Sequence, residues 1–220
     1  MSNIKITTER NLKVAFDELM EVNPLLELED RSLLNGIDYK VFKNAPKTLR
    51  DLFDLIGMLN GDFPFMLDNN IQYSYFEIIS KAKNLANYLS NKGITHKDRI
   101  GICMVNSPEW IITHMGVSGH GATSVPLNSW WRKEELKYGV EHSEVKIIFV
   151  DKKRYGYVKD LDVEVVIISN EDVNNCTIFN ETIGGNYDSW PVENAQDEDV
   201  NVILYTSGST GLPKGVMLTH

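Results

Sequence analysis

A chain of 220 residues is long enough for one large domain or two small ones with a sizeable core, so its size admits an enzyme. Its 31 acidic and 22 basic residues leave a formal charge of −9 at pH 7, and this excludes the broad positive field that would make nucleic acid or an anionic lipid surface a default partner. No stretch reaches the roughly 18 uninterrupted apolar residues of a membrane helix, and the opening "MSNIKITTER" lacks the basic-then-apolar layout of a signal peptide. Cys103 and Cys176 stand in unrelated contexts, with neither a disulfide framework nor zinc-ligand spacing, so no metal site is assigned and a reducing, cytoplasmic setting is expected.

In chain order, "RNLKVAFDELM" puts Leu12, Ala15, Phe16 and Leu19 at helical spacing, and "TLRDLFDLIGMLN" does the same behind a capping Thr48. A polar, proline-containing connector is expected between them. "DFPFMLD" and "IQYS" read as two strands around an Asn69-Asn70 turn. Ser74 and Glu77 are spaced as a capping box, and Ile78, Ile79, Ala82, Leu85, Ala86 and Leu89 carry an apolar stripe toward Gly93, which predicts a long helix.

"RIGICMV" is a nearly continuous apolar run, as expected of a strand buried on both faces of a parallel sheet. Ser107-Pro108-Glu109 opens a helix with a capping hydroxyl, a proline in the first turn and an acid at the positive end of the dipole. The alternation continues: "GATSVPL" as strand, "KEELKYGVEHS" as helix, "VKIIFVD" as strand, a short helical connector, then "VEVVIIS" as strand. The polar segment from Asn170 to Asp199 is expected to be surface connection, and "VNVILYT" is the last long strand. Strands interleaved with helices of this length imply an α/β fold, a layered and mostly parallel sheet flanked by helices. Residues 1–47 are expected to form an N-terminal extension with the first helix, and 48–220 the main domain.

The chain closes on "NVILYTSGSTGLPKGVMLTH". Thr206, Ser207, Gly208, Ser209, Thr210 and Gly211 place four hydroxyl groups and two glycines at the end of a predicted strand. Glycines let successive N–H groups face an anion, hydroxyls donate to it, and Lys214 adds a compact positive charge, so a polyphosphate is the natural ligand. The Walker pattern is excluded: Pro213 precedes the lysine, Gly215 follows it, and Val216 to Thr219 reads as a strand where a helix would be needed.

"YTSGSTGLPKGVMLTH" resembles the phosphate-loop signature of the adenylate-forming superfamily, which includes acyl-CoA synthetases, luciferases and peptide-synthetase adenylation domains. "IQYSYFEIISKAKNLANYLSNKGITHKDRIGICMVNSPEWIITHMGVSGHGATSVPLN" is similar to the same family's N-terminal region, so the resemblance runs from about Leu49 to His220. It implies that residues 48–220 are the N-terminal part of the large domain, with a small-molecule carboxylate, ATP and coenzyme A as substrates and Mg²⁺ as the metal. It implies acyl-adenylate formation followed by thioester formation, in which Thr206, Ser207, Ser209 and Thr210 contact ATP phosphates, Gly208, Gly211 and Gly215 free the backbone, and Lys214 stabilises departing pyrophosphate.

The Trp130-Trp131 pair after "PLN" resembles fatty-acyl-type CoA ligases, which points to fatty-acid metabolism; an aryl-acid ligase, or a domain loading a carrier-protein thiol, is the alternative. From another class, a non-catalytic nucleotide-binding or interaction fragment stays open. Arg132 departs from the family's helix-capping Thr. The family's adenine pocket, acidic Mg²⁺ ligand and C-terminal catalytic lysine lie after this loop, so the chain is expected to be truncated and inactive alone. His220 stands where relatives often carry a histidine near the substrate. His114, His120, Trp130, Trp131 and Cys103 are read mainly as packing residues, and His96 and His142 as surface residues.

Overall fold

A computed structural model describes residues 11–20, 23–32, 36–173, 175–192, 195–206 and 211–220. The chain divides into two compact units, residues 1–46 and 47–220. In the first, residues 11–20 are helical (α1), with Leu12 and Phe16 exposed. The expected connector contains a 3₁₀ turn, Pro24–Leu26, and two antiparallel strands, β1 (Leu28–Ser32) and β2 (Asp38–Phe42), in register Leu28 to Phe42. Both strands are exposed along nearly their whole length, so neither presents a buried apolar face.

The second unit opens with α2 (Leu49–Asn60), where the Thr48 hydroxyl accepts from Asp51 N–H and the Asp51 carboxylate accepts from Thr48 N–H, a full capping box. The hairpin β3 (Pro64–Asp68) and β4 (Ile71–Ser74) turns at Asn69 and Asn70, whose φ values of 44° and 67° are those of a turn matched to strand twist. Helix α3 (Tyr75–Asn91) starts on the Ser74–Glu77 capping box and buries Ile78, Ile79, Ala82, Leu85, Ala86 and Leu89. Then come β5 (Arg99–Cys103), α4 (Pro108–His120) capped by Ser107, β6 (Thr123–Pro126), α5 (Lys133–Ser143), β7 (Val145–Asp151), α6 (Lys152–Val158) and β8 (Glu164–Ile168). The start of α5 lacks a hydroxyl cap, because Arg132 occupies that position, and Glu135 reaches back to Arg132 N–H at 2.9 Å instead.

The segment expected as surface connection holds β9 (Thr177–Ile178), α7 (Phe179–Ile183) and a buried Trp190. The last elements are β10 (Val200–Thr206) and β11 (Lys214–Thr219). A seven-stranded sheet runs β11-β10-β6-β5-β7-β8-β9, parallel throughout except for the antiparallel β10–β11 pair. Side chains alternate between its two faces: Ile100, Ile102, Ile147, Phe149 and Val166 pack with α2, α3, α4 and α7, while Cys103, Ile148, Val150, Val165 and Ile167 pack with α5 and α6. Burial on both faces explains the continuous apolar runs of β5, β7 and β8. Burial also pushes the Cys103 thiol up to about 12, so it stays protonated and acts as a small packing residue. Among the described residues no helix is long and apolar enough to cross a membrane.

Trp190 closes the helical face. Its Nε1 donates to Asp54 Oδ1 at 2.8 Å, its ring lies 6.3 Å from Phe53, and the Arg50 and Lys83 cations approach its ring centre at 5.9 and 5.8 Å. The chain around it is pinned by Arg50 to the Pro191 carbonyl and by Asn87 to the Ser189 carbonyl. The ring fits because Gly119 of α4 has no side chain; a Cβ there would overlap it. Trp190→Ala is expected to cost about 3–5 kcal/mol. Gly119→Ala alone should also destabilise, yet be tolerated in the Trp190→Ala background, as measured by urea unfolding of the four variants. Additive losses would contradict this packing.

Candidate functional site: the hairpin between β10 and β11

Thr206 ends β10 and Lys214 opens β11, and the two oppose each other across the antiparallel ladder. Because β10 runs parallel to β6, Thr206 lies at the edge where β5, β6 and β7 also end. That carboxyl edge is where open α/β sheets take their ligands. Thr206 Oγ1 reaches the Lys214 carbonyl over a long 3.4 Å. The Lys214 side chain is exposed and makes no ion pair among the described residues.

Ser207, Gly208, Ser209 and Thr210 lie outside the described residues. Gly211 has φ +139°, a backbone state that a side chain would strain. Gly215 packs opposite Tyr205, and a Cβ there would come within 2.8 Å of Ile203. Its small size therefore serves the close packing of the two strands. Thr206 and Lys214, and Tyr205 and Gly215, thus face each other at one strand junction, which Gly211 adjoins.

Three aromatic rings from outside the motif, those of Trp131, Tyr138 and His142, hold this junction together with Tyr205. Tyr138 and His142, one turn apart on α5, stack with ring centres 5.0 Å apart. His142 Nδ1 lies 2.7 Å from the Tyr205 hydroxyl on the β10 arm, and Tyr138 Oη donates to the Pro213 carbonyl at 3.2 Å, just before Lys214. Trp131 meets the Tyr205 ring edge-on at 5.5 Å, with Trp131 also filling the space over Gly139. Trp131 is therefore a packing residue, whereas Trp130 is 84% exposed. His142, expected as a plain surface residue, touches the hairpin. The signal in the sequence was Tyr138 and His142 at helical i, i+4 spacing, but nothing in it named their partner.

The other end of the hairpin is fixed by buried polar groups. Leu49 N–H, the first turn of α2, donates to His220 Nδ1 at 3.1 Å, and His220 Nε2 lies 3.3 Å from the Asn201 carboxamide. Asn201 in turn meets Ser118 of α4 at 3.4 Å, while the Thr123 hydroxyl donates to the Val200 carbonyl at 2.8 Å. His220 thus supplies a partner to an unpaired helix N–H. His114 Nδ1 lies 3.1 Å from Ser124 Oγ of β6, with the Trp110 ring 5.4 Å away. Both histidines titrate low: burial lowers His220, and burial, with the nearby His220 charge adding to it, takes His114 down to about 4.

The seven-stranded, mostly parallel sheet flanked by helices is an α/β fold shared with solved structures of adenylate-forming enzymes. The fold is shared with the anthranilate CoA ligase AuaEII, whose crystal structure contains anthranoyl-AMP, at a TM-score of 0.75 and 18% identity over 80% of this chain and 36% of that one. The chain belongs to the family described as AMP-binding enzyme, whose profile matches residues 58–220. It is 35% identical over 162 residues to 4-coumarate–CoA ligase 2 of Solanum tuberosum, covering 71% of this chain and 30% of that protein. It is 31% identical over 199 residues to fatty acyl-CoA synthetase A of Dictyostelium discoideum, covering 83% and 29%. The chain therefore spans about three tenths of the length of these curated relatives.

The low histidine values make stability pH-dependent. An unfolded His114 takes its proton near 6.5 and the folded one only near 4, so between these values the unfolded state binds more protons. The stabilising contribution is full above about pH 6.5 and is lost as pH falls toward 4, by up to about 3 kcal/mol. Urea midpoints should fall across that window, and His114→Gln should flatten the fall. A midpoint independent of pH there would refute the assignment.

Proposed function

We propose that this chain carries the phosphate-handling part of an ATP-dependent acid–thiol ligase. A carboxylate is a poor acyl donor because its charge is delocalised and its oxygen leaves badly. In the first half-reaction a carboxylate oxygen of a small-molecule acid attacks the α-phosphorus of ATP. The new P–O bond forms as the bond to pyrophosphate breaks, and an acyl-adenylate results. The sulfur of coenzyme A then attacks the acyl carbon, loses its proton and displaces AMP.

The loop's part is electrostatic. The Lys214 ammonium and the hydroxyls of Thr206, Ser207, Ser209 and Thr210, with backbone amides freed at Gly208, Gly211 and Gly215, take up the charge that grows on departing pyrophosphate. The observation that carries this reading is the return of β11 to β10, which sets an exposed lysine opposite Thr206 at the sheet's carboxyl edge. Magnesium bound to the triphosphate would share the charge. The described residues include no group of three or more His, Cys, Asp or Glu side chains able to hold a metal ion.

The acid is proposed to be fatty-acid-like, in keeping with the Trp130-Trp131 pair and the 31% identity to fatty acyl-CoA synthetase A. The 35% identity to 4-coumarate–CoA ligase 2 favours a second reading, an aryl acid. A cytoplasmic role in fatty-acid metabolism belongs to the first. Residues 48–220 are read as part of an adenylation domain.

In the complete gene product, Lys214→Ala is expected to lower acid-dependent ATP–pyrophosphate exchange by about 10- to 150-fold, the equivalent of one charge-assisted hydrogen bond of about 1.5–3 kcal/mol. Unchanged exchange would end the proposed role. The purified 220-residue chain, which spans about three tenths of these relatives, is expected to release no pyrophosphate from ATP in the presence of fatty or aryl acids, and measured release would overturn that expectation.

A further inference from the structure

Both arms of the β10–β11 hairpin hang on one face of α5. On the β10 arm, Tyr205, the last residue before Thr206, meets His142 Nδ1 at 2.7 Å. On the β11 arm, the Pro213 carbonyl, the last before Lys214, accepts from Tyr138 Oη at 3.2 Å. The two gripping side chains are stacked on each other, with ring centres 5.0 Å apart and planes 23° apart, so moving one displaces the other. Tyr205 is also braced from the side by Trp131. In the ladder Tyr205 faces Gly215 and Thr206 faces Lys214, so the two grips flank the mouth of the loop.

Ordering a chain segment on a ligand costs about 1–2 kcal/mol for each residue fixed. Fixing the two ends lowers that cost without any contact to the ligand. We infer that Tyr138 and His142 are positioning residues: they form a two-point clamp that holds the ends of the phosphate loop in the spacing needed for the outer phosphates of a nucleoside triphosphate. This rests on the reading of the loop as a polyphosphate cradle. The clamp acts on the loop and not on the nucleoside, so it contributes to binding of the β and γ phosphates and leaves recognition of a monophosphate untouched.

The discriminating variant is Tyr138→Phe, which keeps the ring and its stack on His142 and removes only the hydroxyl. Equilibrium binding of MgATP and of AMP is measured separately for the complete gene product, alongside its melting temperature. Tyr138→Phe is expected to weaken MgATP by about three- to tenfold, the range of one net hydrogen bond, with AMP affinity and melting temperature unchanged. His142→Ala should do the same. His142→Gln, whose carboxamide can still pair with the Tyr205 hydroxyl, should restore most of the loss.

Equal weakening of MgATP and AMP, or a lowered melting temperature that accounts for the loss, would make the cluster merely structural and overturn the clamp. Unchanged MgATP affinity in Tyr138→Phe, with Lys214→Ala impaired, would overturn the clamp and leave the cradle standing. Absence of MgATP binding in the unaltered protein would remove the cradle, and the clamp with it.

Discussion

The antiparallel return of β11 onto β10 is the constraint on which the rest depends. In a sheet otherwise wholly parallel, it alone reverses direction at the carboxyl edge, and it brings Lys214 back beside Thr206. A Walker loop places its lysine by running on into a helix, whose N-terminal amides join in binding. Here a strand follows the loop, so the loop does not run on into a helix. On the function proposed above, the lysine and the hydroxyl groups of the motif would supply the donors that a helix N-terminus otherwise provides.

Such a hairpin lies near the end of the sheet order and must be held against fraying. The protein anchors it at two heights with different chemistry. At the loop end the contacts are aromatic rings and two hydrogen bonds to α5, which fix the direction of the two strands. At the other end the contacts are buried and polar: His220 to Leu49 N–H, Asn201 to Ser118, and Thr123 to the Val200 carbonyl. A buried group left without a partner costs about 1–3 kcal/mol, so this end is fixed by what breaking it would cost. His220, considered from sequence as a substrate-side residue, is here occupied with the first turn of α2.

Much of this was legible in the amino-acid order because it depends on local rules. The Ser74–Glu77 box, Ser107-Pro108 and the apolar stripe of α3 specify helix starts and faces within a few residues of themselves, and the runs of β5, β7 and β8 show burial on both sides directly. The glycine–hydroxyl–lysine order is legible in the same local way, as the family signature that the match to AMP-binding enzymes contains. What escaped were partnerships between distant residues. Trp190 is buried because Gly119, Phe53 and Arg50 converge on it, yet its neighbours in sequence are polar, so that stretch reads as loop. Tyr138 and His142 have the spacing of any exposed helical pair until the fold sets Pro213 and Tyr205 against them. The β1–β2 strands, exposed along nearly their whole length, present no buried apolar face.

A chain of net charge −9 is an unpromising host for an anion such as ATP, and distance resolves the conflict. At physiological ionic strength exposed charges are screened beyond about 8 Å, so acids spread over the surface act weakly on a ligand at one edge of the sheet. Several are also neutralised where they stand, as Glu164 is by Lys92 at 2.6 Å and Asp98 by Lys146 at 2.7 Å. A lysine in contact with phosphate, about 4 Å away at an effective dielectric near 20, interacts at about 4 kcal/mol per unit charge before desolvation is counted. The nearest cation therefore outweighs the overall balance, provided it is not spent on a protein carboxylate. Lys214 meets that condition among the described residues, so the acidic balance of the chain does not stand against the polyphosphate site proposed for it.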